Sequence, residues 1–283
     1  MPDDPLVSTE WLHEHLGDIR VKVVDASWFL PGDPRDPKAS YLQARVPGAV
    51  FFDIDEICDR GSPLPHMAPS PEQFALQVGA LGIGSEDTVV VYDQAGLFSA
   101  PRAWWTFRLF GHGKVFVLDG GLPKWRAEGR PQERGPPPPH GTGDFAILTP
   151  HPELVRALPD VRQTLQAGTE QILDVRPAAR FRGEAPEPRP GVRPGHMPGA
   201  LNLPVTALAS EDGRLLPAEA LQAAFQGAGV DLDRPIVTSC GSGVAASTAA
   251  LALARLGRWD VAVYDGSWTE WGAHPDTPVA TGP

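Results

Sequence analysis

Cysteine is nearly absent from this chain. Only Cys58 and Cys240 occur among its 283 residues, too few and too far apart for a disulfide framework. Reduced thiols, and with them a cytoplasmic location, are the expectation. Long apolar runs are missing too. No stretch reaches the roughly 18 residues of a transmembrane helix. The N-terminal MPDDPLVSTEW has neither the basic start nor the apolar run of a secretory signal, so no membrane partner is expected. Positive charge is also scarce: 24 Lys and Arg against 35 Asp and Glu give a net charge of −11. Such a chain repels nucleic acid and anionic lipid.

What is present repeats itself. VKVVDAS (Val21–Ser27) resembles QILDVRP (Gln171–Pro177), and VPGAVFFDID (Val46–Asp55) resembles MPGALNLPVT (Met197–Thr206). DTVVVYD (Asp87–Asp93) resembles RPIVTSC (Arg234–Cys240), and VFVLDGGLPKW (Val115–Trp125) resembles VAVYDGSWTEW (Val261–Trp271). The four matches keep their order and a nearly constant offset close to 150 residues, so the chain is a duplicated domain and not a solenoid. Within each half, β-branched runs such as Val89-Val90-Val91 alternate with helix signals. Ser70-Pro71-Glu72-Gln73 is a capping box with Pro in the first turn. The pattern predicts α/β architecture: two tandem domains, each a mostly parallel sheet flanked by helices. Four consecutive prolines within Arg130–Phe145 favour an extended segment. We expect a first domain over residues 1–135, a Pro-rich linker over 136–150 and a second domain over 151–283.

The chemical signal is Cys240-Gly241-Ser242-Gly243-Val244-Ala245-Ala246, between an apolar strand and the helical STAALALARLG. This context puts Cys240 at the carboxyl end of a parallel strand, where open α/β sheets bind ligands. Glycines at 241 and 243 let successive N–H groups converge into an anion cradle, which favours the nucleophilic thiolate. The first half has Asp93 at the matching position. Cysteine phosphatase chemistry needs Arg six positions after the Cys, and Ala246 stands there. Neither a Walker A loop nor a Gly-x-Ser-x-Gly elbow is present.

CGSGVAA resembles the active loop of the 3-mercaptopyruvate sulfurtransferases, which read CG(S/T)GVTA. Rhodanese-type thiosulfate sulfurtransferases carry basic residues there, as in CRKGVTA. The resemblance extends to SPLPHM (Ser62–Met67), SAPRAWWTFRLFGHG (Ser99–Gly113), FRGEAPEPRPGVRPGHMPGALNLP (Phe181–Pro204) and YDGSWTEW (Tyr264–Trp271). It implies two rhodanese-like domains, the first catalytically silent. It implies Cys240 as nucleophile and persulfide carrier, with Gly241, Gly243, Val244 and Ala245 in the persulfide loop. Arg180 and Arg189 match the family's substrate arginines. Composition alone would read them as part of a Pro-stiffened surface loop, and Arg182 is an alternative to Arg180. Asp55, His66 and Ser242 match a relay proposed for the family. By themselves Asp55 and His66 read as a helix cap and a loop histidine.

The function implied is sulfur transfer from 3-mercaptopyruvate to a thiol, thioredoxin or cyanide, with release of pyruvate and no metal or organic cofactor. A thiosulfate:cyanide sulfurtransferase and a non-catalytic sulfur-carrier module are the alternatives. Where the family has Thr, this chain has Ala245, which leaves backbone N–H groups, Ser242 and Ser247 to stabilise the sulfur. Cys58 reads as structural, and Asp265 as a residue that fixes the geometry of its DGSW loop. Trp104, Trp105, Trp268 and Trp271 read as packing residues.

Overall fold

Five short parallel strands make the sheet of each half. The computed structural model describes residues 4–147 and 149–283, and the chain divides into two units. The first runs to Arg60 and adds Ala68–His151 and Ala209–Leu215. The second comprises Gly61–Met67, Pro152–Leu208 and Leu216–Pro283.

In the first unit β1 (Leu6–Val7), β2 (Val21–Asp25), β3 (Val50–Phe51), β4 (Thr88–Tyr92) and β5 (Val115–Leu118) pair in the order β1-β5-β4-β2-β3. In the second, β6 (Val155–Arg156), β7 (Gln171–Asp174), β8 (Leu201–Asn202), β9 (Ile236–Ser239) and β10 (Ala262–Tyr264) pair in the order β6-β10-β9-β7-β8. These are the same permutation of strands, so the sequence repeat is a repeat of fold. The helices of the first unit are α1 (Thr9–His15), α2 (Pro37–Gln43), α3 (Pro71–Ala80), α4 (Ala100–Leu109) and α5 (Gly121–Ala127). Those of the second are α6 (Leu158–Ala167), α7 (Ala178–Phe181), α8 (Ala218–Gly227), α9 (Val244–Arg255) and α10 (Ser267–Ala273).

Local sequence accounts for these elements. The central strand β4 is apolar and buried from Val89 to Tyr92, as a strand covered on both faces of a parallel sheet requires; β9 is buried throughout, its Thr238 and Ser239 included. The N-terminus of α3 carries both capping-box bonds: the Gln73 N–H donates to Ser70 Oγ and the Ser70 N–H to Gln73 Oε1, each at 3.2 Å. α9 is buried from Ala246 to Ala254 and packs on β9 and β10. Its alanines let it lie close to the sheet, and a helix apolar on all sides belongs in a core. The Pro-rich segment of the sequence runs along the first unit, where the Gly143 N–H donates to Gly79 O (2.8 Å) and the Phe145 ring meets the edge of Phe74.

One expectation is corrected here. α9 opens at Val244, three residues before the STAALALARLG stretch. Val244 and Ala245 therefore lie in its first turn and not in the loop. Gly243, at φ +80°, makes the turn that starts the helix without a capping side chain. The first-turn N–H groups of a helix have no intrahelical acceptor, so those of Val244 and Ala245 remain available to an anion.

Candidate active site

Cys240 follows β9, the central strand of the second sheet, and is 4% exposed. The chain then turns through Gly241-Ser242-Gly243 into α9. Two carbonyls at the start of this turn are held by α10. Cys240 O accepts the Trp268 N–H (2.9 Å). Gly241 O accepts the Thr269 N–H (2.9 Å) and the Thr269 hydroxyl (2.6 Å). Among the described residues, no protein acceptor is paired with the N–H groups of Gly241 through Ala246. Such a row of amides at a helix N-terminus holds an anion. The Ser247 hydroxyl is not part of the cradle, because it donates to Gly243 O (3.0 Å); a helical Ser bonds back one turn in this way.

Ser267 is a residue that sequence reasoning missed. Its hydroxyl accepts the Cys240 N–H (3.2 Å) and donates to Tyr264 O (2.8 Å). It is fully buried, and its φ of 48° is unusual for a residue with a side chain. The signal was present in DGSW, but Asp265 drew the attention. The first unit has Gly121 at the matching place, also at positive φ, where a Cβ would stand 2.6 Å from Asp93 O.

The first unit shows what this loop does when its anion is built in. The Asp93 carboxylate accepts five backbone N–H bonds, from Ala95 (2.9 Å) and Gly96 (2.8 Å) on one oxygen and from Phe98 (2.8 Å), Ser99 (2.8 Å) and Ala100 (2.9 Å) on the other.

Arg180 and Arg182 separate clearly. A Cβ built on Gly241 would lie 3.5 Å from Arg180 Nη2, so the Arg180 guanidinium stands against the cysteine loop. Arg182 is bound bidentately to Glu184 at 2.8 and 2.7 Å, with more than a third of its side chain exposed. Arg189 lines a cavity of about 570 Å³ with Ser62, Leu64, Val192 and Thr269, and Thr269 is the residue that holds Gly241 O. Ser242 and His66 are both buried in the second unit, His66 at φ 59°. Asp55 belongs to the first unit, where its carboxylate accepts Trp28 Nε1 (3.1 Å). Cys58 is half-buried with its thiol on Asp55 O (3.1 Å), and burial pushes that thiol's pKa up. Trp104, Trp105, Trp268 and Trp271 are fully buried.

Sequence reasoning also passed over Arg176 and Glu187. Arg176 grips Asp174 with three bonds of 2.6–3.1 Å, donates to Gly195 O (2.8 Å) and lies over the Trp268 ring (4.3 Å). Its remaining nitrogen donates to Glu187 (2.8 Å), which also accepts from Arg180. A Pro-rich loop gives no periodic signal for such a long-range pair.

The rhodanese-like domain model matches residues 8–128 and again 158–274. The chain is 47% identical to the 3-mercaptopyruvate sulfurtransferase of Escherichia coli, over 96% of each chain. It is 44% identical to the mitochondrial thiosulfate/3-mercaptopyruvate sulfurtransferase 1 of Arabidopsis thaliana, over 98% of this chain and 78% of that one. The crystal structure of SseA, a 3-mercaptopyruvate sulfotransferase from Escherichia coli, superposes with a TM-score of 0.86 at 44% identity and covers 94% of this chain and 99% of that one. The chain is a member of the two-domain rhodanese-like sulfurtransferases, the family of the 3-mercaptopyruvate sulfurtransferases.

Proposed function

We propose that this sulfurtransferase takes sulfur from 3-mercaptopyruvate onto Cys240 and passes it to a thiol acceptor. The observation that carries the reading is the open row of loop N–H groups around Cys240, with Arg180 beside Gly241. Arg180 and Arg189 hold the carboxylate and carbonyl of the keto acid, since a guanidinium fork fits such oxygens. The Cys240 thiolate attacks the substrate sulfur. The S–S bond forms as the carbon–sulfur bond breaks, and the bonding pair leaves on carbon as the enolate of pyruvate. The enolate is protonated to pyruvate, with Ser242 and His66 of the second unit assisting proton transfer. The loop amides hold the persulfide anion. A low-molecular-weight thiolate, a reduced thioredoxin or cyanide then attacks the outer sulfur and restores the Cys240 thiolate. Both cysteines are unbonded, which suits a reducing compartment such as the cytoplasm. Among the described residues no helix is long and apolar enough to cross a membrane.

The second reading is thiosulfate as donor, and it meets an obstacle in the loop. Gly241 and Ser242 carry no cationic side chain of their own for the thiosulfate dianion, which leaves Arg180 beside Gly241 as the cation at the loop. Pyruvate release from 3-mercaptopyruvate by the purified protein, compared with its Cys240→Ser and Cys58→Ser variants, is the test. Activity lost at Cys240 and kept at Cys58 is expected. The reverse pattern would remove Cys240 from the reaction, and a higher kcat/KM on thiosulfate would favour the second reading.

A further inference from the structure

Arg180 is only one-fifth exposed at its side chain, and its guanidinium is already engaged. Nε donates to Glu187 Oε1 at 3.3 Å and Nη2 donates to Glu187 Oε2. The edge formed by these two nitrogens is therefore spent. The edge carrying Nη1 is left for a ligand, while Nη2 still lies beside Gly241. Glu187 itself is 4% exposed and cannot follow Arg180 into solvent. It is anchored from behind by Arg176 Nη1 at 2.8 Å. Arg176 is in turn immobilised by Asp174, by Gly195 O and by the ring of Trp268, a residue whose backbone N–H holds Cys240 O. Pro186 and Pro188 flank Glu187, and proline on both sides narrows the backbone it can adopt before any ion pair forms.

The charges alternate along this chain of contacts: Asp174, Arg176, Glu187, Arg180. Two carboxylates offset two guanidiniums, so the buried network is neutral without a ligand. An arginine free at a surface would lose considerable rotamer freedom on binding an anion. Here that order exists beforehand, which is how preorganisation strengthens binding.

We propose that Glu187 is the positioning residue for Arg180: it fixes the edge that Arg180 offers to the carboxylate of an α-keto acid at the mouth of the cysteine loop. This rests on the reading of Arg180 as a substrate-binding arginine.

The experiment uses the full-length enzyme with Glu187→Gln, Glu187→Asp and Arg180→Ala. For each, KM and kcat on 3-mercaptopyruvate are measured beside the alkylation rate of Cys240 by neutral iodoacetamide. Glu187→Gln is expected to raise KM about tenfold, the worth of one well-placed charge-assisted bond, with a much smaller change in kcat. The alkylation rate stays at the wild-type value, because the loop is untouched. Glu187→Asp keeps the charge on a shorter arm and recovers part of the loss. It also serves if the Gln variant does not fold. An unchanged KM in both Glu187 variants would overturn the inference. A lowered KM would overturn it as well, by showing that Glu187 competes with the substrate for Arg180. Parallel losses in KM, kcat and alkylation would mark Glu187 as a general structural residue and also overturn it. An Arg180→Ala enzyme with normal KM would bring down the substrate-arginine reading and this inference together. A sensitive Arg180 with insensitive Glu187 would bring down this inference alone.

Discussion

Asp93 and Cys240 occupy the same place in two copies of one fold, and the amides around them have opposite fates. Each follows the central strand of its sheet. Each has its carbonyl held by the backbone N–H of the fourth residue after the next strand, Leu122 at 3.0 Å for Asp93 and Trp268 at 2.9 Å for Cys240. Around Asp93 five N–H groups converge on the side-chain carboxylate. Around Cys240 the loop N–H groups have no protein acceptor among the described residues. The first unit is thus an anion cradle with its anion covalently supplied. The cradle of the first unit is therefore full, and it holds a carboxylate where the second unit has a thiol.

Emptying that cradle should be costly and reversible by small anions. Asp93→Ala leaves five N–H groups without their acceptor, so it is expected to destabilise the protein by about 3–5 kcal/mol. Sulfate or thiosulfate should then raise the melting temperature of the variant more than that of the wild type, because the anion binds the folded cradle alone. Thermal melts across a sulfate series give the answer. A variant that melts like the wild type would show that the five bonds contribute little.

The equivalence of Asp93 and Cys240 was legible in the sequence, because a repeat aligns residues whatever their chemistry. The capping box of α3 was legible because its bonds are local. The start of α9 was not. Gly243 turns the chain with its backbone and has no capping side chain to announce it. Ser267, Arg176 and Glu187 were hidden for a different reason. Their partners lie 27 residues away for Ser267 and Cys240, and 11 for Arg176 and Glu187, in segments without helical or strand period. Arg180 could be told from Arg182 only in three dimensions, since they stand two residues apart at the end of α7 and each is paired with a nearby glutamate.

Ser267 allows conformational strain and hydrogen bonding to be separated. Its left-handed backbone costs less for Gly than for Ala. The hydroxyl bond to Cys240 N–H is lost in both Ser267→Gly and Ser267→Ala. The Gly variant is expected to be the more stable of the two by about 1 kcal/mol. Both should lose about tenfold in kcat/KM, the worth of one buried hydrogen bond to Cys240. Paired melts and steady-state rates on 3-mercaptopyruvate decide the matter. A fully active Gly variant would show that the α10 amides alone hold Cys240 in place.

Ala245 stands where family members carry threonine, in the first turn of α9 and one residue past Val244. A hydroxyl added there can donate to the sulfur of Cys240. Ser247 cannot substitute for it, being committed to Gly243 O. Ala245→Thr is expected to speed alkylation of Cys240 at neutral pH by about three- to tenfold, as one further hydrogen bond to the thiolate would. The rate is read with iodoacetamide against the wild type. Equal rates would mean that backbone N–H groups already satisfy the sulfur.

The duplicated strands β2 and β7 end in aspartates with different partners, and Asp25 should leave its mark on the pH dependence of stability. Asp174 is gripped by the buried guanidinium of Arg176. Asp25 is equally buried but has Ser27 where the second unit has Arg176. Its donors are neutral: the Ser27 N–H (3.0 Å), the Ser27 hydroxyl (2.5 Å) and Gln94 Nε2 (3.2 Å). Burial therefore dominates and pushes its pKa from the ordinary 3.8 up to about 6, against the pull of these hydrogen bonds. An acid with a raised folded-state pKa holds its proton better in the folded state. Its contribution is complete below pH about 4 and disappears as pH rises through about 6. The change amounts to about 3 kcal/mol across that window. Asp25→Asn cannot titrate, so it isolates the effect. Denaturant unfolding of wild type and variant from pH 4 to 7 should show the wild type losing stability relative to the variant as pH increases. A difference that stays flat, or that grows in favour of the wild type, would mean that the neutral donors around Asp25 outweigh its burial.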